Sequence, residues 1–297
     1  MVPASEPAPA PGPAAGDPGR VAELEDAWAA RVRASREQAE RVRDPGVRDS
    51  DGPPGSPVVA DPRRTDEPVL AVLDTLARPG STWLDIGAGA GRYALPLALR
   101  VREVIAVEPS AAMRHALRAG LGEHGIGNVR VVPGAWPAAI ADLLPLPAAD
   151  VALIAHVGYE VEEIGPFLDA MEAAAGERCV AVLTDRSPGA IADPLWPLVH
   201  REVRRPLPCL PDLLELLAAR GRQARLVRVD RQARRFDSLD ALGRYLRRQL
   251  LIADSGAKAA RLRAILPGVA ARHDGAWTLA DHPAGAAGIV SWLVPGR

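Results

Sequence analysis

A chain of 297 residues that is 48% apolar, 25% charged and only 4% aromatic is long enough to bury a substantial core. Its formal net charge of −1 excludes a uniformly basic chain that coats nucleic acid through bulk charge. No run of about 18 uncharged apolar residues occurs, so no membrane-spanning helix is predicted. Two cysteines, Cys179 and Cys209, make neither a disulfide framework nor a four-ligand zinc site by themselves. The first residues lack the basic flank and apolar stretch of a secretory leader, and the expected location is the cytoplasm. Lys258 is the only lysine, a skew that GC-rich coding explains without a functional cause.

Residues 1–19 are almost wholly Pro, Ala and Gly with a few acids and read as a disordered tail. Val21, Leu24, Trp28, Val32, Ala39 and Val42 then recur at helical spacing among charges, which predicts an amphipathic helix ended by Asp44-Pro45-Gly46. A Pro/Gly/Asp-rich linker follows, so residues 20–62 form an arm. The arm either closes over a binding cleft as a lid or packs on the domain or on a second subunit.

From Thr65 short apolar runs alternate with helical patterns. After a helix through Leu70, Leu73 and Leu76 come Thr82–Ile86 (strand), Arg92–Val101 (helix), Val104–Val107 (strand) and Ser110–Glu123 (helix). Val129–Val132 (strand), Pro137–Leu144 (short helix), Val151–Ala155 (strand), Glu162–Ala175 (helix) and Cys179–Thr184 (strand) follow. Five strands separated by helices, rich in Val, Ile and Leu without strict alternation, predict an α/β fold with a doubly wound, mostly parallel sheet buried on both faces. Farther on, Pro211–Arg220 reads as a helix and Ala224–Val229 as a strand. A helical insert lies at about 237–268, and Ala276–Leu279 and Gly288–Val294 read as strands.

The segment Asp85-Ile86-Gly87-Ala88-Gly89-Ala90-Gly91-Arg92 carries the most information. A buried strand runs into three alternating glycines, which permit a sharp turn and a close ligand approach, and a helix N-terminus behind them offers free N–H groups. Arg92 occupies the place of the third glycine of a dinucleotide fingerprint. Asp85, two residues before the first glycine, would face a pyrophosphate unfavourably and a cationic amino group favourably. Glu108 ends the second strand, where a carboxylate can accept both hydroxyls of a ribose, a feature shared with NAD sites.

This ordered set resembles the class I S-adenosylmethionine-dependent methyltransferases. The resemblance implies that residues 63–297 form one domain with a seven-stranded sheet, a Rossmann-like methyltransferase fold whose last strand is antiparallel. It places Asp85, Gly87, Gly89 and Gly91 around the methionine part of the cofactor. Glu108, within Val107-Glu108-Pro109-Ser110, falls on the ribose, and Met113 beside the adenine. Gly134-Ala135-Trp136 follows the third strand, where the family often has Gly-Asp. With that Asp absent, the Ala135 backbone and the Trp136 ring are the expected adenine contacts, while Trp136 as a plain core residue remains the alternative.

At the end of the fourth strand stands His156-Val157-Gly158-Tyr159, similar to the histidine-containing stretch of small-molecule methyltransferases in this fold. His156 is the expected catalytic residue, either as a base toward an acceptor hydroxyl or amine or as a packing group. Tyr159, the second candidate catalytic residue, is expected to wall the acceptor pocket or, as a lone aromatic, to be structural. The other histidines and the cysteines show no ligand spacing, so no metal site is expected. Residues 200–250 hold thirteen arginines against six acids, read as solvated faces or as a guide for an anionic acceptor or RNA. The expected activity is methyl transfer to a small-molecule acceptor, with no membrane partner, nucleic acid as a secondary possibility and a homodimer left open. Two rivals stand beside it, an NAD-dependent oxidoreductase and a non-catalytic S-adenosylmethionine-binding regulator.

Overall fold

A computed structural model of the chain describes residues 16–47, 61–280 and 285–296. The expected tail through residue 15 and the linker at 48–60 lie outside these residues. Helix α1 (Pro18–Val42) begins earlier than the arm boundary at residue 20, because Asp17 caps it by accepting the Arg20 N–H at 3.1 Å and Pro18 fits its first turn.

Helix α2 (Pro68–Leu76) leads into β1 (Thr82–Ile86), all five of whose residues are buried. The alternation continues through α3 (Ala94–Ala98), β2 (Glu103–Glu108), α4 (Ala111–His124), β3 (Val129–Pro133), β4 (Ala149–Ala155), α5 (Ile164–Ala174) and β5 (Ala175–Thr184). Ser110 caps α4 by accepting the Met113 N–H, and Gly125 ends it in the left-handed conformation, with φ of 64°. The helix expected over Arg92–Val101 shrinks to α3. Tyr93 precedes it, and beyond Ala98 the chain tightens into i→i+3 turns, with Leu99 N–H on Pro96 O and Arg100 N–H on Leu97 O. The expected helix at Pro137–Leu144 is a 3₁₀ segment, Ala138–Leu143.

Past β5 come α6 (Trp196–His200), α7 (Leu210–Ala219), β6 (Arg225–Asp230), α8 (Leu239–Gln249), α9 (Ala257–Val269), β7 (Ala270–His273), β8 (Ala276–Leu279) and β9 (Ala286–Leu293). The main sheet has seven strands in the order β3-β2-β1-β4-β5-β9-β6. Strands β1 to β5 pair in parallel, and β9 runs antiparallel to both β5 and β6. This is the doubly wound sheet with a reversed last strand that the sequence leads one to expect. The strand at Ala276–Leu279 joins β7 in a separate two-stranded sheet.

Two apolar layers cover the sheet. One contains Ile86, Ile154, Phe167, Leu213 and Trp292, and the other Leu73, Trp83, Leu95, Leu153 and Val182. A third cluster belongs to the insert: Trp196, Leu242, Leu246, Leu262, Leu266 and Leu279 pack on one another. Helix α1 joins the first and third. Trp28 and Val32 are buried against the sheet side, the Trp28 indole donates to Val161 O at 2.9 Å, and Val42 enters the insert cluster. Burial of one such large side chain contributes about 2–3 kcal/mol. Beyond the helix Lys258 binds Asp44 at 2.8 Å. The arm therefore clamps the insert to the sheet. Among the described residues no helix is long and apolar enough to cross a membrane.

The order of the strands reverses between β1 and β4, whose chains leave the sheet in opposite directions, and a crevice at the C-terminal ends of the strands results. All the groups described below converge there.

Candidate functional site

The three glycines after β1 serve different needs. Gly87 has φ of +75°, and a β-carbon there would lie 2.6 Å from Val157 Cγ2; Gly91 has φ of +91°, and its β-carbon would meet Leu117 Cδ1 at 2.6 Å. Both are held by packing as well as by conformation. Gly89, at φ +57°, has nothing within 4 Å of where its β-carbon would stand, so its open side is the face a ligand can approach.

Two buried carboxylates flank this opening. Glu108 is 6% exposed, and it accepts the Gly89 N–H at 2.8 Å and the Ser110 N–H at 2.7 Å, one on each oxygen. A carboxylate oxygen has a second lone pair, so both remain able to accept hydroxyls. Asp85 is 2% exposed, and its Oδ2 has no partner among the described residues. Burial first, and then the neighbouring Glu108, push its pKa up to about 7, against a backbone hydrogen bond from Ala94 that lowers it. A buried, half-satisfied acid of this kind is stabilised by a cationic partner.

The remaining expected cofactor residues are distributed unevenly. Pro109 is exposed at the end of β2 and Met113 is half-buried in the first turn of α4, both on the Glu108 side of the crevice. Ala135 is exposed in the turn after β3. The Trp136 indole donates to Phe167 O at 3.1 Å and packs against the core layer containing that residue, so this ring braces α5.

His156 sits at the end of β4 with φ of 59°, its N–H donating to Val182 O at 2.8 Å. Its Nε2 lies 3.4 Å from the Tyr93 hydroxyl, which donates its proton to Glu67 Oε1 at 2.9 Å. With that proton committed, the imidazole is the donor to the phenol oxygen. His156 thus carries its hydrogen on Nε2 and keeps Nδ1 as an acceptor. Burial, then the positive charges of Arg92 and Arg231, lower its pKa to about 4, so it is neutral at pH 7. Burial alone raises the Glu67 carboxyl, but hydrogen bonds from Arg92 and Arg64 outweigh it and hold the group below its ordinary value.

Glu67 and Tyr93 are missed by the sequence reading. The signal for Tyr93 is its place immediately after the glycine loop; Glu67, 26 positions earlier, has none. Tyr159 lines the cavity beyond His156, but its hydroxyl is engaged by the protein. Its oxygen accepts the Thr184 N–H at 2.8 Å and pairs with Thr184 Oγ1 at 3.0 Å, while that hydroxyl donates to Arg186 O at 2.6 Å. The phenol ties the segment after β4 to the end of β5, and burial raises its pKa, so it stays protonated.

Beyond His156 a cavity of about 480 Å3 opens between the ends of β4 and β5 and the segment joining β6 to α8. Residues 84–175 match the family model for the methyltransferase domain. That stretch is similar to a methyltransferase domain, in line with the resemblance carried by the ordered acids and glycines. Asp85, the three glycines, Glu108 and His156 all fall inside the matched stretch, whereas the far wall of the cavity falls outside it.

A protein assigned as the cobalt-precorrin-6B C(15)-methyltransferase (decarboxylating) of Methanothermobacter thermautotrophicus is 34% identical over 106 residues. The match takes in 35% of this chain and 54% of that protein. The chain thus spans about half the length of the curated relative it matches. Two solved structures share the fold. The YcgJ protein of Bacillus subtilis superposes with a TM-score of 0.51 at 18% identity, over 75% of this chain and 97% of that one. A Bacillus halodurans protein solved as a candidate methyltransferase gives 0.52 at 14% identity, over 76% and 98%.

The residues at this crevice fit S-adenosylmethionine. The unpartnered Asp85 oxygen suits an ammonium group, the open face of Gly89 leaves room beside the chain, and Glu108 keeps acceptor capacity for a ribose.

Proposed function

We propose that the protein transfers a methyl group from S-adenosylmethionine to a small-molecule acceptor of tetrapyrrole type. The observation that carries the transfer is the pair of buried carboxylates, Asp85 and Glu108, on either side of the one open glycine at the strand-order reversal. The acceptor class is supported by the name of the Methanothermobacter relative. Neither the oxidoreductase nor the non-catalytic reading gains support from the family match.

When bound, the cofactor supplies an activated methyl group: the acceptor's electron pair forms the new bond to carbon while the carbon–sulfur bond breaks and its electrons stay on sulfur. The chain's part is alignment. Glu108 would fix the ribose hydroxyls, and Asp85 would balance the amino group. His156 would present Nδ1 to the acceptor at the boundary between crevice and cavity. With its pKa lowered to about 4, His156 suits an orienting hydrogen bond better than removal of a proton. Tyr93 and Glu67 hold the ring in that tautomer.

The test is transfer of label from S-adenosylmethionine carrying a radioactive methyl group to a panel of free tetrapyrrole precursors. Labelled product that disappears in Glu108→Ala supports the proposal. Label that enters RNA or protein while the panel stays unlabelled contradicts the acceptor class.

A further inference from the structure

The cavity beyond His156 has a lopsided lining. Arg186, Arg231 and Arg234 face it, and among the described residues Asp185 is the one acid in its lining. The Asp185 carboxylate packs toward the chain of Gly285, with Oδ1 2.7 Å from where a side chain there would begin. None of the three arginines has a carboxylate partner among the described residues. Their neighbours in sequence are committed: Arg204 binds Asp193, Arg222 binds Glu172 and Arg235 binds Asp274. Arg234 instead lies over the Tyr245 ring, 4.7 Å from its centroid, which holds the guanidinium plane and leaves its N–H donors available. Arg231 is near enough to His156 to lower its basicity, so the cationic wall reaches the reacting end of the cavity.

Three guanidinium groups around one cavity repel one another, and an anionic occupant relieves that repulsion. A guanidinium fork matches a carboxylate with two parallel hydrogen bonds, and Tyr245 adds an aromatic wall for an unsaturated body. The volume of about 480 Å3 suits a ligand of drug-like size, well beyond a simple inorganic anion.

We propose that this cavity is the acceptor pocket of the methyltransferase, and that it selects an unsaturated small molecule bearing two or more carboxylates, gripped by Arg231 and Arg234 with Arg186 at the rim. The inference rests on the methyl-transfer reading and adds the charge and chemical class of the acceptor.

The test uses the full chain and calorimetric titration with benzene-1,3,5-tricarboxylate. Benzene-1,3,5-trimethanol serves as the neutral control, inorganic phosphate as the competing anion, and S-adenosylhomocysteine as the cofactor-side reference. The expected result is binding of the tricarboxylate, no binding of the triol and no displacement by phosphate at matched ionic strength. The double variant Arg231→Gln/Arg234→Gln should lose about tenfold or more in tricarboxylate affinity, the loss of charge-assisted hydrogen bonds. Its S-adenosylhomocysteine affinity, which reports that the fold is intact, should change by less than about twofold. Arg186→Gln, at an exposed position, is the second variant and should show a smaller loss of the same kind. Equal binding of triol and tricarboxylate, displacement by phosphate, no tricarboxylate binding, or unchanged affinity in both variants each overturns the inference. Those results leave the methyl-transfer reading standing, whereas failure of wild-type protein to bind S-adenosylhomocysteine sinks that reading itself.

Discussion

On one side of His156 the polar groups are few, buried and acidic; on the other they are exposed and basic. Asp85 and Glu108 stand at the ends of adjacent strands, fixed by backbone geometry, and among the described residues one buried Asp85 oxygen lacks a partner. Arg186, Arg231 and Arg234 come from the exit of β5 and the chain after β6. The contrast separates two tasks. A cofactor common to many enzymes is met by rigid local structure, while the acceptor is met by grafted segments that a fold can vary without disturbing its sheet.

The comparison can be broken in four ways. The largest effect is expected on the cofactor side, from Gly91→Ala. Left-handed strain and the 2.6 Å approach to Leu117 act together there, and the loss of unfolding free energy should be about 3–5 kcal/mol, read by urea denaturation. A cost below about 1 kcal/mol would show that the loop is not held rigidly.

Glu108→Ala comes next and leaves the fold in place. It should weaken S-adenosylhomocysteine binding by about a hundredfold, near 2.7 kcal/mol, in calorimetric titration.

Asp85→Asn tests the buried acid through pH. The folded-state pKa of Asp85 is about 7, above its ordinary value of 3.8, so the native state retains a proton that the unfolded chain has lost. Stability therefore falls as pH rises from about 4 through 7. His156 works in the opposite sense: its pKa drops from 6.5 to about 4, and its share of stability is lost as pH falls through that window. The difference between wild type and Asp85→Asn isolates the aspartate. The variant should be more stable than the free wild-type protein at pH 8, by about 1–2 kcal/mol, and nearly equal to it at pH 4. Wild-type affinity for S-adenosylhomocysteine should also rise through pH 7, and the rise should vanish in the variant.

The smallest effect is predicted on the acceptor side. Arg186 is exposed and unpaired among the described residues, so Arg186→Gln should alter thermal stability by less than about 0.5 kcal/mol. A larger loss would mean that the basic wall is part of the scaffold.

How far the sequence discloses each side follows the same division. The run from β1 to β2 is legible because strand, turn and acids lie close together in the chain, and each residue type has a local reason for its place. Glu67 and Tyr93 are not legible, since what defines them is a hydrogen-bond chain from Glu67 through Tyr93 to a histidine more than sixty positions from Tyr93. The engaged hydroxyl of Tyr159 and the indole of Trp136, turned to Phe167, are decided by partners on other elements. The arginine excess after residue 200 is visible as composition. Which arginines are spent in ion pairs, as Arg220 is with Glu25 and Asp169, depends on packing that no spacing rule encodes. Likewise the helical period of Leu242 and Leu246 reveals an insert, but not the short β7–β8 pair that closes its core.

The central claim is that the acidic side of the crevice holds S-adenosylmethionine, and the most direct measurement is calorimetric titration of the full chain with S-adenosylhomocysteine at pH 8. One site per chain, with affinity sharply reduced in Glu108→Ala, is the predicted result. No detectable binding at millimolar ligand, or equal binding by wild type and a folded Glu108→Ala variant, would contradict it.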